Sequence, residues 1–195
     1  MEQQFQYYAF ISYKREDEKW AKWLQDRLRW YKLPSKLCRQ ITRLPKKVWP
    51  VFRDNTDLDS GRLEENIRHE LERSHYLIVI CSPEAARSPW VGKEVKYFAT
   101  LHGADKIIPF VVSGIPYSND IETECIHEQI KAISQEELLA INVREEGIGS
   151  FAMKKKRAFI RVVARLLDIK FNTLWQPYER ILRIRKWSTG IGVVF

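Results

Sequence analysis

Short apolar runs alternate with amphipathic stretches along most of the chain. Tyr7 to Tyr13 (YYAFISY) is an apolar, aromatic run that predicts a buried strand. From Glu16 onward, Trp20, Trp23, Leu24, Leu28 and Tyr31 recur at helical spacing, and Pro34 ends the helix. Val48 to Phe52 (VWPVF) predicts a second strand; Pro50 cannot donate to a ladder, which points to an irregular or edge position. Asp54 to Gly61 is a polar loop of turn formers. Arg62 to Arg73 is helical, with Leu63, Ile67 and Leu71 on one face and Glu64 and Glu65 suited to its N-terminus.

Tyr76 to Cys81 (YLIVIC) is the most apolar run and carries almost no alternation, the signature of a central parallel strand covered on both faces. Ser88-Pro89 pairs an N-cap residue with proline at the first helical position and starts a helix to about Leu101. Ile107 to Val112 predicts another buried strand and Leu138 to Val143 a fifth, whereas residues 114–136 show no readable period. Lys154 to Asp168 is amphipathic, with Phe159, Val162, Val163, Leu166 and Leu167 inward and Arg157, Arg161 and Arg165 outward. This alternation predicts an α/β, flavodoxin-like, doubly wound sheet of five parallel strands with helices on both faces. In such sheets ligands bind beyond the carboxyl ends of the strands, so the segments after Tyr13, Phe52, Cys81 and Val112 are the ones to inspect.

Composition alters this picture in one place. The net charge of +8 suggests a nucleic-acid binder, but residues 1–150 hold 22 Lys/Arg against 23 Asp/Glu. Residues 151–195 hold 11 Lys/Arg against Asp168 and Glu179, so the body is near neutral and the basic character belongs to the tail. That argues against a nucleic-acid partner. Arg180, Arg183, Arg185, Lys186 and Trp187 precede a small, apolar ending (STGIGVVF). Either this is the cytoplasmic flank of a membrane span, with the tail held at the inner face of a membrane, or the ending is a docking strand. The division expected is a domain over residues 1–170 and a basic extension over 171–195. Cys38, Cys81 and Cys125 have no metal-ligand spacing, Cys81 reads as core, and nothing asks for an oxidising compartment, so the cytosol is expected. His69, His75, His102 and His127 are scattered, form no ligand set and read as incidental; no metal is expected.

Three of the strand ends carry candidate chemistry. Ser12-Tyr13-Lys14-Arg15 sets two cations beside a hydroxyl pair, and Phe52-Arg53-Asp54 opens the acidic loop. The helix from Pro89 carries Trp90 and Glu94, an i, i+4 pair with Phe98 on the same face. AFISYKRED, VFRDNTDLDSG and SPWVGKE, in this order, resemble the three most recognisable stretches of a Toll/interleukin-1 receptor (TIR) domain: the first strand and its loop, the loop after the second strand, and the W-x-x-x-E helix. The resemblance spans residues 5–168.

The resemblance implies the activity of the family's enzymatic members, found in plants, bacteria and one animal axonal protein. In these the helix glutamate cleaves the nicotinamide–ribose bond of NAD, giving ADP-ribose or a cyclic isomer. Glu94 is then the catalytic carboxylate. Ser12, Tyr13, Lys14 and Arg15 match the first-strand loop near the dinucleotide, Phe52, Arg53 and Asp54 the second-strand site, and Trp90 the W-x-x-x-E tryptophan. NAD would be the substrate, with no separate cofactor, and self-association through TIR–TIR contacts is implied because such sites are commonly shared between protomers. The implied role is intracellular defence signalling, antiviral in a bacterium. Thr56 to Gly61 lacks the proline of animal receptor TIR domains, which favours the microbial and axonal enzymes.

Each candidate has a structural alternative: Glu94 as a solvated helix residue, Trp90 and Phe52 as core, Lys14 and Arg15 as charges opposite Glu16 and Asp17, Arg53 and Asp54 as turn residues. Two other functions stay open, a non-catalytic TIR adaptor and a nucleoside deoxyribosyltransferase-like enzyme. The W-x-x-x-E spacing and the Lys14-Arg15 pair favour NAD cleavage over both.

Overall fold

Five parallel strands order themselves β2-β1-β3-β4-β5 in a computed structural model that describes residues 5–41, 44–53, 61–133, 139–144 and 149–176. The strands are β1 (Tyr7–Ser12), β2 (Val51–Arg53), β3 (Ser74–Cys81), β4 (Ile107–Val111) and β5 (Ile141–Asn142). The helices are α1 (Glu18–Trp30), α2 (Ser35–Gln40), α3 (Gly61–Glu72), α4 (Pro83–Ala86), α5 (Pro89–His102), α6 (Glu128–Ile133) and α7 (Phe151–Leu166). This is the doubly wound arrangement expected from the sequence, and the order reverses between β1 and β3.

Strand alternation divides the core in two. Ala9, Ile11, Ile78 and Ile80 face α1 and α7, packing on Leu24, Leu28, Phe159 and Val163. Phe10, Leu77, Val79 and Cys81 face α3 and α5, packing on Leu71, Val91, Val95 and Phe98. Burying each such side chain contributes roughly 1.5–3 kcal/mol, so Phe98→Ala at the centre of the second cluster would cost about 3–5 kcal/mol.

The element ends differ from the sequence expectations for local reasons. β2 is displaced to Val51–Arg53, although it is the edge strand that Pro50 indicated. β5 shrinks to Ile141–Asn142. α1 starts at Glu18, after a 3-10 turn over Arg15–Asp17, and stops at Trp30, where Tyr31 turns extended. α7 begins earlier than expected because the Ser150 hydroxyl accepts the Met153 N–H at 3.4 Å, a cap the hydrophobic period does not show.

Residues 171–176 are helical and bury Leu174 and Trp175 in the core cluster on the α1–α7 side. Of the arginines expected to point outward from α7, Arg157 and Arg165 are exposed and Arg161 half-buried, and each makes a surface contact. Arg157 lies 5.8 Å from the ring centroids of both Phe171 and Trp175, Arg161 lies 5.5 Å from Phe171, and Arg165 donates to the Asp105 carbonyl at 3.2 Å. No helix among the described residues is long and apolar enough to cross a membrane. The cluster from Arg180 to Trp187 lies outside the described residues.

Candidate active site

Ser12 continues the even-numbered series of β1, so its hydroxyl emerges on the α5 side at the carboxyl end of the strand. α5 approaches from the other direction. The Ser88 hydroxyl accepts the Val91 N–H at 3.4 Å, Pro89 presets the first turn, and the helical period turns Val91, Glu94, Val95 and Phe98 inward. Glu94 is the one carboxylate in that inward row, and it meets Ser12: the Ser12 hydroxyl donates to Oε2 of Glu94. Ser12 is 1% exposed and Glu94 4%. A carboxylate this far from water is costly unless it is hydrogen-bonded, and a hydroxyl donating to it is a strong, charge-assisted partner. Ser12 pairs in register with Val79 of β3, so the serine–glutamate pair stands where the strand order reverses.

Glu94 also lines a cavity of about 300 Å³ between α3 and α5. Ile67, Arg68 and Leu71 form one wall, and Trp90 and Tyr97 stand beside Glu94 on the other. The volume is at the small end for ligand sites, which run from roughly 300 to 1,000 Å³. The Lys93 ammonium lies 5.8 Å from the Trp90 ring centroid, and the Arg68 guanidinium 5.3 Å from that of Tyr97. The cavity thus combines two aromatic faces, three cations (Arg68, Lys93 and Lys96) and one buried carboxylate.

The remaining candidates do not all gather around Glu94. Phe52 shares its side of the sheet, half-buried and stacked 5.2 Å from Phe10. Tyr13 and Arg53 face the opposite layer. Arg53 pairs in register with Ile11, and its guanidinium donates to the Tyr13 hydroxyl at 3.1 Å, Gln25 Oε1 at 3.2 Å and Glu18 Oε1 at 3.2 Å. The period of two that carries Ser12 and Phe52 toward α5 carries Ile11 and Arg53 toward α1. Lys14 is half-buried and Arg15 exposed on the turn above β1. Asp54 lies outside the described residues.

Two polar groups escaped the sequence reading. The Ser82 hydroxyl, just past β3, donates to Asp17 Oδ2 at 2.5 Å and accepts the Ala85 N–H at 3.1 Å. Asp17 is 8% exposed; burial pushes its carboxyl upward, against the downward pull of the Ser82 bond. His127, expected to be incidental, is 6% exposed and hydrogen-bonded through both ring nitrogens. The long-range half of each pattern has no local signature, since Asp17 and Ser82 stand 65 residues apart and His127 answers to Ser88, 39 residues away.

Cysteine chemistry fits this region poorly. Cys81 and Cys125 are buried, the Cys125 thiol is pushed up to about 12 by burial, and Cys81 is raised well above the ordinary thiol value by the same cause. Both are therefore thiols rather than thiolates at neutral pH. Among the described residues, no group of three or more His, Cys, Asp or Glu is placed to hold a metal ion.

Comparison with known proteins agrees with the fold. The chain is 36% identical over 110 residues to the NAD(+) hydrolase ApTIR of an Actinoplanes species, a stretch covering 55% of this chain and 14% of that much longer relative. Its fold is similar to that in a structure described as the activated Roq1 resistosome directly recognizing the pathogen effector XopQ (TIR domains), with a TM-score of 0.51 at 14% identity over 79% of this chain and 98% of that one. A family model described as TIR domain matches residues 9–146, spanning both Ser12 and Glu94, and the chain belongs to the TIR domain family.

Proposed function

We propose that the chain cleaves the nicotinamide–ribose bond of NAD, with Glu94 as the catalytic carboxylate. The observation that carries this reading is a buried glutamate, oriented by the Ser12 hydroxyl at the reversal of strand order, on the wall of a cavity it shares with Trp90. The name of the Actinoplanes relative, an NAD(+) hydrolase, points the same way.

The chemistry suits these groups. Nicotinamide leaves as a neutral base, taking the electron pair of the C1′–N bond and leaving oxocarbenium character on the ribose. A fixed carboxylate beside that carbon stabilises the developing positive charge without reorganising, and the Ser12 hydroxyl holds it there. Trp90 offers an aromatic face to the nicotinamide ring, and cations at the mouth can pair with the pyrophosphate. Water adding to C1′ with loss of a proton gives ADP-ribose; a nucleophile of the same molecule gives a cyclic isomer. NAD is the substrate, and no metal or resident cofactor enters the reaction. We assign a role to Lys14 and Arg15 at the pyrophosphate, since both stand on the turn at the carboxyl edge of β1. Arg53 and Tyr13 support that edge from the α1 side.

We further propose that the cavity is completed by a second copy of the chain, because about 300 Å³ holds one end of a dinucleotide rather than the whole. The setting we favour is intracellular defence signalling, and three free thiols at Cys38, Cys81 and Cys125 suit a reducing compartment. Purified protein from nanomolar to high micromolar should be incubated with NAD and the products separated by chromatography. Nicotinamide release rising more steeply than linearly with enzyme concentration is the expected result. Constant specific activity from a monomer would remove the shared site, and inert protein at every concentration would favour an adaptor acting by domain–domain contact alone.

A further inference from the structure

We propose that His127, in its neutral form, is a positioning residue that sets the first turn of α5 and with it the placement of Glu94. The inference rests on the reading of Glu94 as the catalytic carboxylate.

Three contacts converge on one imidazole. Nδ1 accepts the Gln129 N–H at 3.0 Å, which leaves the ring proton on Nε2. Nε2 lies 3.1 Å from the Ser88 carbonyl and donates to it. That carbonyl also accepts the Gly92 N–H at 3.1 Å, so His127 shares an oxygen with the opening hydrogen bond of α5. The third contact is steric. A Cβ on Gly92 would fall 2.5 Å from Cε1 and 2.8 Å from Nε2 of the ring, so the imidazole occupies the space a side chain would need. Position 92 therefore takes glycine because of the ring, not because of its backbone angles.

The first turn of α5 is consequently held from two sides. Ser12 grips Glu94 from the sheet, and His127 grips Ser88 and Gly92 from the outside. Fixing a reacting group within a fraction of an ångström matters, because a shift of about 1 Å can cost on the order of a hundredfold in rate.

His127 also ties this geometry to pH. A second ring proton on Nδ1 would confront the Gln129 N–H with another donor. Burial pushes the imidazole's pKa below the ordinary histidine value, which keeps it neutral near pH 7, while the bond to the Ser88 carbonyl and then the Glu128 charge pull the other way. The ring borders a cavity of about 640 Å³ whose other charged groups are Arg87 after α4, Lys93 and Lys96 on α5, Glu124 before the histidine, and Glu128 and Lys131 on α6. Lys131 is paired with Glu124.

The test uses His127→Asn, Gly92→Ala, His127→Ala and the Gly92→Ala/His127→Ala double variant of the whole chain. Asparagine keeps an acceptor for Gln129 N–H but cannot reach Ser88, so it separates capping of α6 from positioning of α5. Two readouts are taken: kcat and KM for nicotinamide release across pH 5–8, and amide hydrogen exchange in α5. Expected are a fall in kcat of tenfold or more for His127→Asn with KM changed less than threefold, and faster exchange confined to the first turn of α5. The acid limb of the wild-type kcat profile should change shape in that variant. Gly92→Ala should be costly beside the histidine ring and nearly neutral in the His127→Ala background, where the ring no longer blocks the Cβ. Wild-type exchange and kcat in His127→Asn overturn the proposal, as does additivity of the two alanine changes. Faster exchange with unchanged kcat also overturns it, leaving a purely structural histidine. An inert wild type overturns the reading of Glu94 instead, and exchange in α5 then decides alone whether His127 sets the helix.

Discussion

Two serine–carboxylate pairs stand at the carboxyl ends of adjacent strands, on opposite faces of the sheet. Ser12 at the end of β1 donates to Glu94 on the α5 side, and Ser82 just past β3 donates to Asp17 at the start of α1. Both serines and both acids are buried. The difference lies in what else each group touches. Ser82 also caps α4 through the Ala85 N–H, and Asp17 belongs to the turn joining β1 to α1, so this pair ties two crossover connections together. Glu94 instead forms part of a cavity wall with Trp90 and Tyr97. The same hydrogen bond serves as a clamp in one place and as an orienting contact in the other. A buried carboxylate thus becomes a functional candidate only through its access to a cavity.

The sharpest way to break this comparison is to remove the acceptor from the clamp. Asp17→Ala leaves the Ser82 hydroxyl without its partner and is expected to cost about 1–3 kcal/mol, lowering the unfolding temperature by roughly 2–4 °C per kcal/mol. Asp17→Asn keeps an acceptor and removes a buried charge, so calorimetry should find it within about 0.5 kcal/mol of wild type, against the 1–3 kcal/mol of a lost partner. A large loss for the asparagine variant, or loss of turnover per folded molecule, would give Asp17 a chemical role.

Ser12→Ala is expected to have a smaller effect. It removes one charge-assisted hydrogen bond from Glu94 without removing the carboxylate, so kcat should fall by about tenfold, the equivalent of roughly 1.4 kcal/mol. Unchanged kcat, measured by nicotinamide release at saturating NAD, would mean that Glu94 is oriented without Ser12.

Acid should weaken the fold modestly. Burial lowers His75, His102 and His127, so each contributes stability that is present above the ordinary histidine value and is lost as pH falls toward the folded-state value. Asp17 is shifted the other way: its folded form holds a proton more tightly, so its contribution grows as pH falls into the carboxylate range. Unfolding temperatures should therefore decline from pH 7 toward pH 5 and decline less in His127→Asn. A flat profile would show that these rings are solvated when folded.

Much of this was legible before the structure. The runs YYAFISY, YLIVIC and IIPFVV are apolar because both faces of their strands are covered, and all three form central strands. Ser88-Pro89 and the W-x-x-x-E spacing located Glu94 on the correct helix. The meeting of Glu94 with Ser12 was not legible, because 82 residues separate them and only the sheet register brings them together. Tyr13 and Arg53 were grouped with the site by sequence position, and the period of two turned them to the other layer. The segment before α6 has no period because side-chain hooks hold it. Glu124 accepts the Ile126 N–H at 2.7 Å and the Tyr117 N–H at 3.2 Å, while Gly114 turns at φ +81° where a Cβ would strike the Thr123 carbonyl oxygen at 2.7 Å.

The account stands most directly on the rate of nicotinamide release by Glu94→Gln beside wild type, at equal concentrations of folded protein. Glutamine keeps the size and an acceptor for Ser12 while removing the charge, as asparagine does at position 17. The account predicts a fall of at least about a hundredfold, in line with losing one electrostatic stabiliser of the transition state, with the unfolding temperature essentially unchanged. Wild-type turnover from folded Glu94→Gln would contradict it.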